Sequence, residues 1–91
     1  MTADLPALLQ RAAQARILRA IRDGDRLQWW DGEGAPRFNS PSNTDWVDRG
    51  AVNLLVVHGL VREDRATDGA YYTYSLMPAG LSALAQHEAQ A

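Results

Sequence analysis

The stretch Asp45–Val61, with the sequence DWVDRGAVNLLVVHGLV, carries the clearest helix signals of the chain. Aspartate is among the best residues for capping a helix N-terminus, because its side chain accepts a hydrogen bond from a free backbone N–H of the first turn. With Asp48 as the cap, Val47 and Val52 have the spacing of a hydrophobic staple, in which two apolar side chains pack across the helix start. The sequence therefore predicts a helix that begins at Arg49.

The same stretch specifies where this helix ends. Gly59 suits the left-handed backbone conformation that closes many helices, and Leu60 stands where a Schellman motif pairs it with Leu55. We predict the helix over Arg49–His58. Two alternative caps for an earlier turn are Asn43 and Thr44. The residues expected to face the core are Val52, Leu55, Val56 and Gly59. The opposite face then carries Gly50, Asn53, Leu54 and Val57.

The segment before this stretch predicts another helix. Apolar residues recur at helical spacing over Leu5–Asp23, and Gly24 suits the left-handed position that follows a helix. The expected apolar stripe consists of Leu9, Ala13, Ile17, Ala20 and Ile21. Another side of this helix carries Arg11, Arg19 and Arg22, which form either a solvated face or a phosphate-facing edge.

Residues 24–44 show no helical period of useful length. Leu27–Trp30 predicts a short strand, and Arg37–Asn39 predicts a second strand after a stretch dense in turn residues. A hairpin and an irregular loop are the two alternatives for this region. Because side chains alternate along a strand, Trp29 and Trp30 cannot both point inward.

The C-terminal third predicts a hairpin and a last helix. Val61–Glu63 and Ala70–Leu76 are candidate strands, joined by a turn with Asp-Gly at its tip. In the second strand we expect one face to carry Tyr72, Tyr74 and Leu76. Pro78 suits the first position of the last helix, whose apolar side is expected to consist of Leu81 and Leu84.

Length and composition indicate one globular domain over residues 1–91. The 91 residues include 46% of apolar types and 22% charged ones, with nine arginines, no lysine and a net charge of −2. Without cysteine, thiolate metal sites and thiol catalysis are excluded. The longest apolar run, Leu54–Val57, is too short to cross a membrane, and the N-terminus does not resemble a secretory signal. We therefore expect a cytoplasmic protein without membrane contact.

Two further patterns resemble the second half of a winged helix-turn-helix domain. The recognition helix of that family ends in a leucine-x-x-x-Gly-Leu-Val pattern, which Leu55–Val61 matches. Its two-stranded wing closes with Tyr-x-Leu-Thr-Pro-x-Gly, which Tyr74–Gly80 matches except for Met77. The resemblance covers residues 45–84, with Trp29–Asn39 in the place of the family's second helix. It implies an α+β winged-helix fold of a helix, a β-hairpin or extended loop, a helix, a two-stranded wing and a C-terminal helix.

The resemblance implies a DNA-binding protein, either a bacterial or phage transcriptional regulator or an accessory factor that binds double-stranded DNA. On this hypothesis Arg49 and Asn53 approach base edges in the major groove. The phosphates would be contacted by Arg62, Arg65, Arg19 and Arg22, with Arg11 as a further candidate.

An alternative hypothesis is a protein-interaction module on the same scaffold. Asn53 is the only hydrogen-bonding side chain on the outward helix face, and acidic residues outnumber arginines over Arg62–Gly69. The outward helix face is either buried within the chain, placed in a DNA groove, or covered by a partner protein or a second copy of the chain. The residues expected in a protein interface are Leu54, Val57 and Trp30.

Catalytic and metal-binding patterns are weak in this sequence. The two histidines, His58 and His87, lie in different predicted elements, and neither has the spacing of a catalytic triad or a zinc motif. Acidic pairs lie in predicted turns, where solvation explains them. We expect no enzymatic activity, no cofactor, no metal and no small-molecule substrate.

Overall fold

The computed structural model describes residues 12–90, which contain three helices and a four-stranded antiparallel sheet. The helices are α1 (Ala12–Arg22), α2 (Arg49–Val57) and α3 (Pro78–Gln90). The strands are β1 (Leu27–Trp30), β2 (Arg37–Phe38), β3 (Val61–Arg65) and β4 (Tyr71–Leu76). The sheet order is β2-β1-β4-β3, so the β3–β4 hairpin joins β1 through β4. The α+β class is confirmed, and the part of the predicted first helix before residue 12 lies outside the described residues.

The start of α2 agrees with the prediction. The Asp48 side chain accepts a hydrogen bond from the Ala51 N–H at 3.0 Å. Val47 and Val52 are both buried in the same hydrophobic cluster, as a staple requires. Asn43 does not begin a helix, because its side chain instead accepts the Asp45 N–H in the preceding loop. The local capping chemistry therefore sets the start of α2.

The end of α2 is a Schellman motif. The Gly59 N–H donates to the Val56 carbonyl at 3.0 Å, and the Leu60 N–H donates to the Leu55 carbonyl at 2.9 Å. Gly59 has φ of +73°, a conformation that other residues adopt only with strain. The helix is one residue shorter than predicted, because His58 is the C-cap. Gly59 itself is exposed rather than turned to the core.

The buried faces of α1 and α3 differ in part from the predicted apolar stripes. Ala13 of α1, predicted to face inward, is exposed, whereas its neighbour Gln14 is 1% exposed. In α3, Leu84 is buried as expected, but Leu81 remains 50% exposed and Ala83 lies inside instead. α3 consists largely of alanine and polar residues, so periodicity alone leaves its rotation poorly determined. Packing of α1 against α3 determines it.

The segment after α1 is a true hairpin, in which β1 pairs with β2 through Leu27 and Phe38. The adjacent tryptophans lie on opposite faces of the sheet, as strand alternation requires. Trp29 packs against the core together with Tyr72 of β4. Trp30 lies on the other face and stacks on Tyr71 with 4.2 Å between ring centroids. Both tryptophans are half-buried.

The sheet has two edge strands of different character. β2 contains only two residues, whereas β3 runs to Arg65 and is two residues longer than predicted. Positions 62–65 of β3 all carry charged side chains. Among the described residues, no helix has the length and apolarity that a membrane crossing needs.

Candidate interaction surface

The outward side of α2 is a ridge of three residues spaced four apart. Arg49, Asn53 and Val57 share one face of the helix, because such spacing returns to nearly the same angle, and all three are exposed. Val57 leaves 78% of its surface exposed, the largest value among large hydrophobic side chains of the described residues. We call these three residues the α2 ridge.

Leu54 lies beside the ridge and is partly covered. It is half-buried and lines a shallow cavity together with Ala13 and Gln14 of α1. Part of the predicted outward face is therefore covered within the chain, and Gly50 and the α2 ridge remain exposed.

The two described arginines of the α1 edge converge on one carboxylate of α3. Arg19 Nε lies 3.3 Å from Glu88 Oε2, and Arg22 Nη1 lies 2.7 Å from Glu88 Oε1. The hydrogen bond from Arg22 holds the pKa of Glu88 below its ordinary value, and the same bond raises the pKa of Arg22. Arg22 also contacts Asp23 at 3.2 Å. Arg11 lies outside the described residues.

The two arginines predicted to contact phosphates from the β3–β4 hairpin also pair with carboxylates. Arg62 Nε lies 2.8 Å from Asp64 Oδ2, and Arg65 Nη2 lies 2.8 Å from Asp31 Oδ2. The Arg65 guanidinium also lies 4.9 Å from the centre of the Tyr72 ring. Hydrogen bonds to Tyr72 and to Asp31 raise the pKa of Arg65.

A cavity of about 210 Å³ opens where β1 and β4 meet the turn after β1. Its lining residues are Trp29, Trp30, Asp31, Gly32, Glu33 and Tyr72. The turn folds back over β1, because the Trp29 indole N–H donates to the Glu33 carbonyl at 2.8 Å. Arg49 lies with its guanidinium carbon 5.5 Å from the centre of the Trp29 ring. This Trp30 cavity therefore adjoins the first residue of the α2 ridge.

Two buried polar atoms of the cavity residues have no hydrogen-bond partner. They are the indole nitrogen Nε1 of Trp30 and the carboxylate oxygen Oε2 of Glu33. Buried polar groups are normally paired, since an unmet donor or acceptor costs about 1–3 kcal/mol. Two of the residues that line the cavity therefore carry a buried polar atom without a partner, one a donor and one an acceptor.

Tyr74 forms a separate polar contact at the edge of the core. Its hydroxyl donates to Glu63 Oε2 at 2.7 Å, and only 6% of the residue is exposed. Burial raises the pKa of the Tyr74 hydroxyl, and the hydrogen bond to Glu63 raises it further. The hydroxyl therefore stays protonated at neutral pH, where it fixes β3 to β4.

Sequence reasoning misses three residues that organise this surface. Glu88 joins arginines that are 66 and 69 positions away in the chain, and no local pattern indicates such a contact. The sequence indicates Glu33 only as a turn residue, and Tyr72 only as one of three residues on the same face of a strand. The single available signal is the sequence Trp-Trp-Asp-Gly-Glu, which places aromatic and acidic side chains within one turn.

Comparison of the chain with models of protein families, with curated proteins and with solved structures finds no match.

Proposed function

We propose that the chain is a non-enzymatic winged-helix scaffold that binds another protein through the α2 ridge and the Trp30 cavity. The architecture is supported by the order of its elements, since α2 leads directly into the β3–β4 hairpin and β4 pairs with β1. In this proposal the β1–β2 hairpin replaces the helix that usually precedes the recognition helix.

One observation favours a protein partner over DNA. The arginines that are candidates for binding phosphates are paired with carboxylates. Arg19 and Arg22 are offset by Asp23 and Glu88, so the described part of this edge has no net positive charge. The β3–β4 hairpin carries acidic residues in excess of its arginines.

Breaking these pairs would not restore a phosphate-binding surface. An exposed ion pair contributes only about 0–1 kcal/mol, so a phosphate could replace the carboxylate as a partner. The displaced carboxylate would nevertheless stay on the same surface and repel the phosphate. Sequence-independent DNA binding depends on a positive field, and a chain with a net charge of −2 lacks an overall one.

The α2 ridge has the character of a protein interface. Val57 is an exposed branched hydrophobic residue, with Leu54 half-buried next to it. Arginine and aromatic residues are enriched where proteins bind each other, and Arg49 with the adjoining Trp29 supplies both types. Arg49, at one end of the α2 ridge, thus connects the ridge to the aromatic cavity through Trp29.

Selection of peptides from a random displayed library tests this proposal, because it needs no identified partner. We expect wild-type protein to enrich a peptide family that Val57→Asp no longer binds. Leu81→Asp is the matched control, because it places the same charge at an exposed leucine of α3, and it should bind like wild type. Absence of enrichment, or equal binding by Val57→Asp, would contradict the proposal.

A second candidate function is DNA binding, which one observation favours. Arg49 and Asn53 are exposed on the same face of α2, and Arg49 contacts no carboxylate among the described residues. Arginine and asparagine are the side chains that most often read guanine and adenine in the major groove.

Fluorescence anisotropy with a labelled mixed-sequence duplex tests this candidate. DNA binding predicts an affinity of roughly 10⁻⁴ to 10⁻⁶ M that falls steeply with salt, and weaker binding by the double variant Arg49→Ala, Asn53→Ala. The protein-binding proposal predicts a flat titration even at low salt.

A further inference from the structure

We propose that Asp31 is a site of spontaneous isoaspartate formation, and that the fold directs this modification to Asp31 rather than to Asp23 or Asp68. Each of the three aspartates precedes a glycine, in the dipeptides Asp23-Gly24, Asp31-Gly32 and Asp68-Gly69. An aspartate before a glycine favours the reaction, because glycine places no side chain beside the backbone nitrogen that attacks. By local sequence alone, all three sites would react at similar rates.

The reaction at Asp31 requires only water. The backbone nitrogen of Gly32 attacks Cγ of Asp31 and loses its proton, and a carboxyl oxygen leaves as water, which closes a five-membered succinimide ring. Water then adds to one of the two ring carbonyls. Opening at the former side-chain carbonyl restores aspartate, whereas opening at the former main-chain carbonyl leaves the backbone running through Cγ. One water is lost and one is gained, so the mass of the chain is unchanged and no oxidant is consumed.

The three glycine nitrogens differ in their hydrogen bonds. The Gly24 N–H donates to the Ile21 carbonyl at 3.1 Å, and the Gly69 N–H donates to the Ala66 carbonyl at 2.8 Å. The Gly32 N–H donates to no acceptor within residues 12–90. A bonded nitrogen can turn towards the carboxyl carbon only after its hydrogen bond breaks, which costs free energy. The nitrogen of Gly32 does not meet this cost.

This difference follows from the place of each glycine in the fold. All three have positive φ, +100° at Gly24, +85° at Gly32 and +75° at Gly69, so φ does not separate them. Gly24 follows the end of α1 and Gly69 closes a turn of the β3–β4 hairpin, and each uses its N–H there. Gly32 instead lies at a central position of a turn, because the Glu33 N–H donates to the Trp30 carbonyl at 3.1 Å. The hydrogen bond of such a turn joins its first and last residues, which leaves the Gly32 N–H unused.

The aspartate carboxylates do not reverse this order. Asp31 Oδ2 lies 2.8 Å from Arg65, and more than half of the Asp31 side chain is exposed. An exposed ion pair of this kind is a weak restraint. The other two carboxylates are held as well, since Asp23 Oδ1 lies 3.2 Å from Arg22 and Asp68 Oδ1 accepts the Ala70 N–H at 3.0 Å. The unbonded nitrogen of Gly32 is therefore what distinguishes Asp31.

The modification would change one wall of the Trp30 cavity, which Asp31 lines. Isoaspartate lengthens the turn by one backbone carbon and carries its carboxylate on a shorter arm, so the contact with Arg65 is expected to be lost. The Glu33 carbonyl, which accepts the Trp29 indole N–H at 2.8 Å, lies two residues further along the same turn. Aged protein would therefore carry an altered cavity. The modification itself does not depend on the proposed function.

Storage of the folded protein in water labelled with heavy oxygen tests the inference, because every passage through the ring introduces one labelled oxygen. Trypsin cleaves after arginine and places the three sites in separate peptides, residues 23–26, 27–37 and 66–91. Isoaspartate peptides separate from aspartate peptides by chromatography at equal mass, and fragmentation in the mass spectrometer locates the label. We expect labelled isoaspartate to form at Asp31 about five- to tenfold faster than at Asp23 or Asp68, the effect of one hydrogen bond that need not break.

Protein unfolded in guanidinium chloride is the matched control, because it contains the same three dipeptides without the fold. All three sites should then react at similar rates. A pair of variants identifies the attacking nitrogen: Gly32→Ala places a side chain beside it and should slow the modification of Asp31, whereas Gly34→Ala fills open space in the same loop and should leave the rate unchanged. Circular dichroism checks that both variants are folded, and the comparison of the three sites needs no variant.

The absence of isoaspartate at Asp31 in folded protein would overturn the inference, and so would a rate at Asp23 or Asp68 that equals or exceeds the rate at Asp31. A preference for Asp31 that persists in unfolded protein would assign it to local sequence and refute the role of the fold. An unchanged rate in folded Gly32→Ala would refute attack by the Gly32 nitrogen. Loss of peptide selection by the α2 ridge would leave all of these rates as they are, so the proposed function fails separately.

Discussion

The carbonyl oxygen of Leu60 lies where a Cβ on Gly80 would have to be. The same carbonyl accepts the Met77 N–H at 3.0 Å, so the residue that completes the Schellman motif of α2 also holds the start of α3. Gly80 is required here by this close approach, since its backbone lies inside a regular helix. The end of α2 and the start of α3 are therefore in contact at a point where there is no room for a side chain.

Gly80→Ala should destabilise the protein by about 1–3 kcal/mol, the usual cost of forcing extra atoms into a packed region. Helix propensity alone predicts the opposite sign, a gain of up to about 1 kcal/mol. Urea denaturation decides between them. Ala79→Gly, at the exposed neighbouring position, measures the propensity effect by itself, and a Gly80→Ala variant at least as stable as wild type would contradict the close contact.

Asp48→Ala should lower the free energy of unfolding by about 1 kcal/mol, because the Ala51 N–H loses its acceptor. Asp48→Asn keeps an acceptor oxygen at the same place and should remain close to wild type. Both values follow from urea denaturation curves with equal slopes. Equal losses in the two variants would show that the negative charge of Asp48, rather than the cap, is what matters.

These two positions show why the sequence predicts some elements well. The cap at Asp48 and the motif around Gly59 are local signals, so both ends of α2 can be located within one residue. The burial of Gln14 rather than Ala13 in α1 cannot be located in this way, because a polar side chain is expected outside and contacts with another element bury it. The prediction for Leu81 is wrong because packing against α1 likewise determines which face of α3 is buried.

The candidate surface is less predictable than the fold, because it depends on contacts between distant segments. Exposure of Arg49, Asn53 and Val57 follows from helical periodicity. The neutralisation of Arg19 and Arg22 by Glu88 does not, since the chain must fold before α1 and α3 meet.

The contribution of Glu88 to stability should depend on pH. Its pKa is lowered in the folded protein by Arg22, so the contribution is present above the unfolded value of about 4.3 and is lost as pH falls through the lower folded value. Melting temperatures of wild type and Glu88→Gln should differ near pH 7 and converge towards pH 3. High salt should reduce the difference at pH 7, because the pair is exposed. A difference that persists at pH 3 would contradict this account.

Removal of carboxylates should create affinity for DNA if these carboxylates are what prevents the arginines from binding phosphates. The double variant Asp64→Asn, Glu88→Gln removes two negative charges and leaves Arg62, Arg19 and Arg22 without these partners. We expect salt-dependent duplex binding to appear in an anisotropy titration where wild type shows none. As a control, Asp68→Asn changes one charge without releasing an arginine contact. If the double variant gave the same flat titration as wild type, the carboxylates would not be what prevents binding.

The charged outer strand β3 also has a consequence for assembly. An unpaired strand edge exposes backbone groups that invite another strand, and natural proteins discourage such pairing with charged side chains. β3 carries arginine, glutamate, aspartate and arginine in succession, and the opposite edge, β2, is only two residues long. Neither border of the sheet suits extension by a second molecule. Higher-order assembly of this chain is therefore expected to proceed through side chains on the helices and turns, and the sheet should resist growth into fibrils.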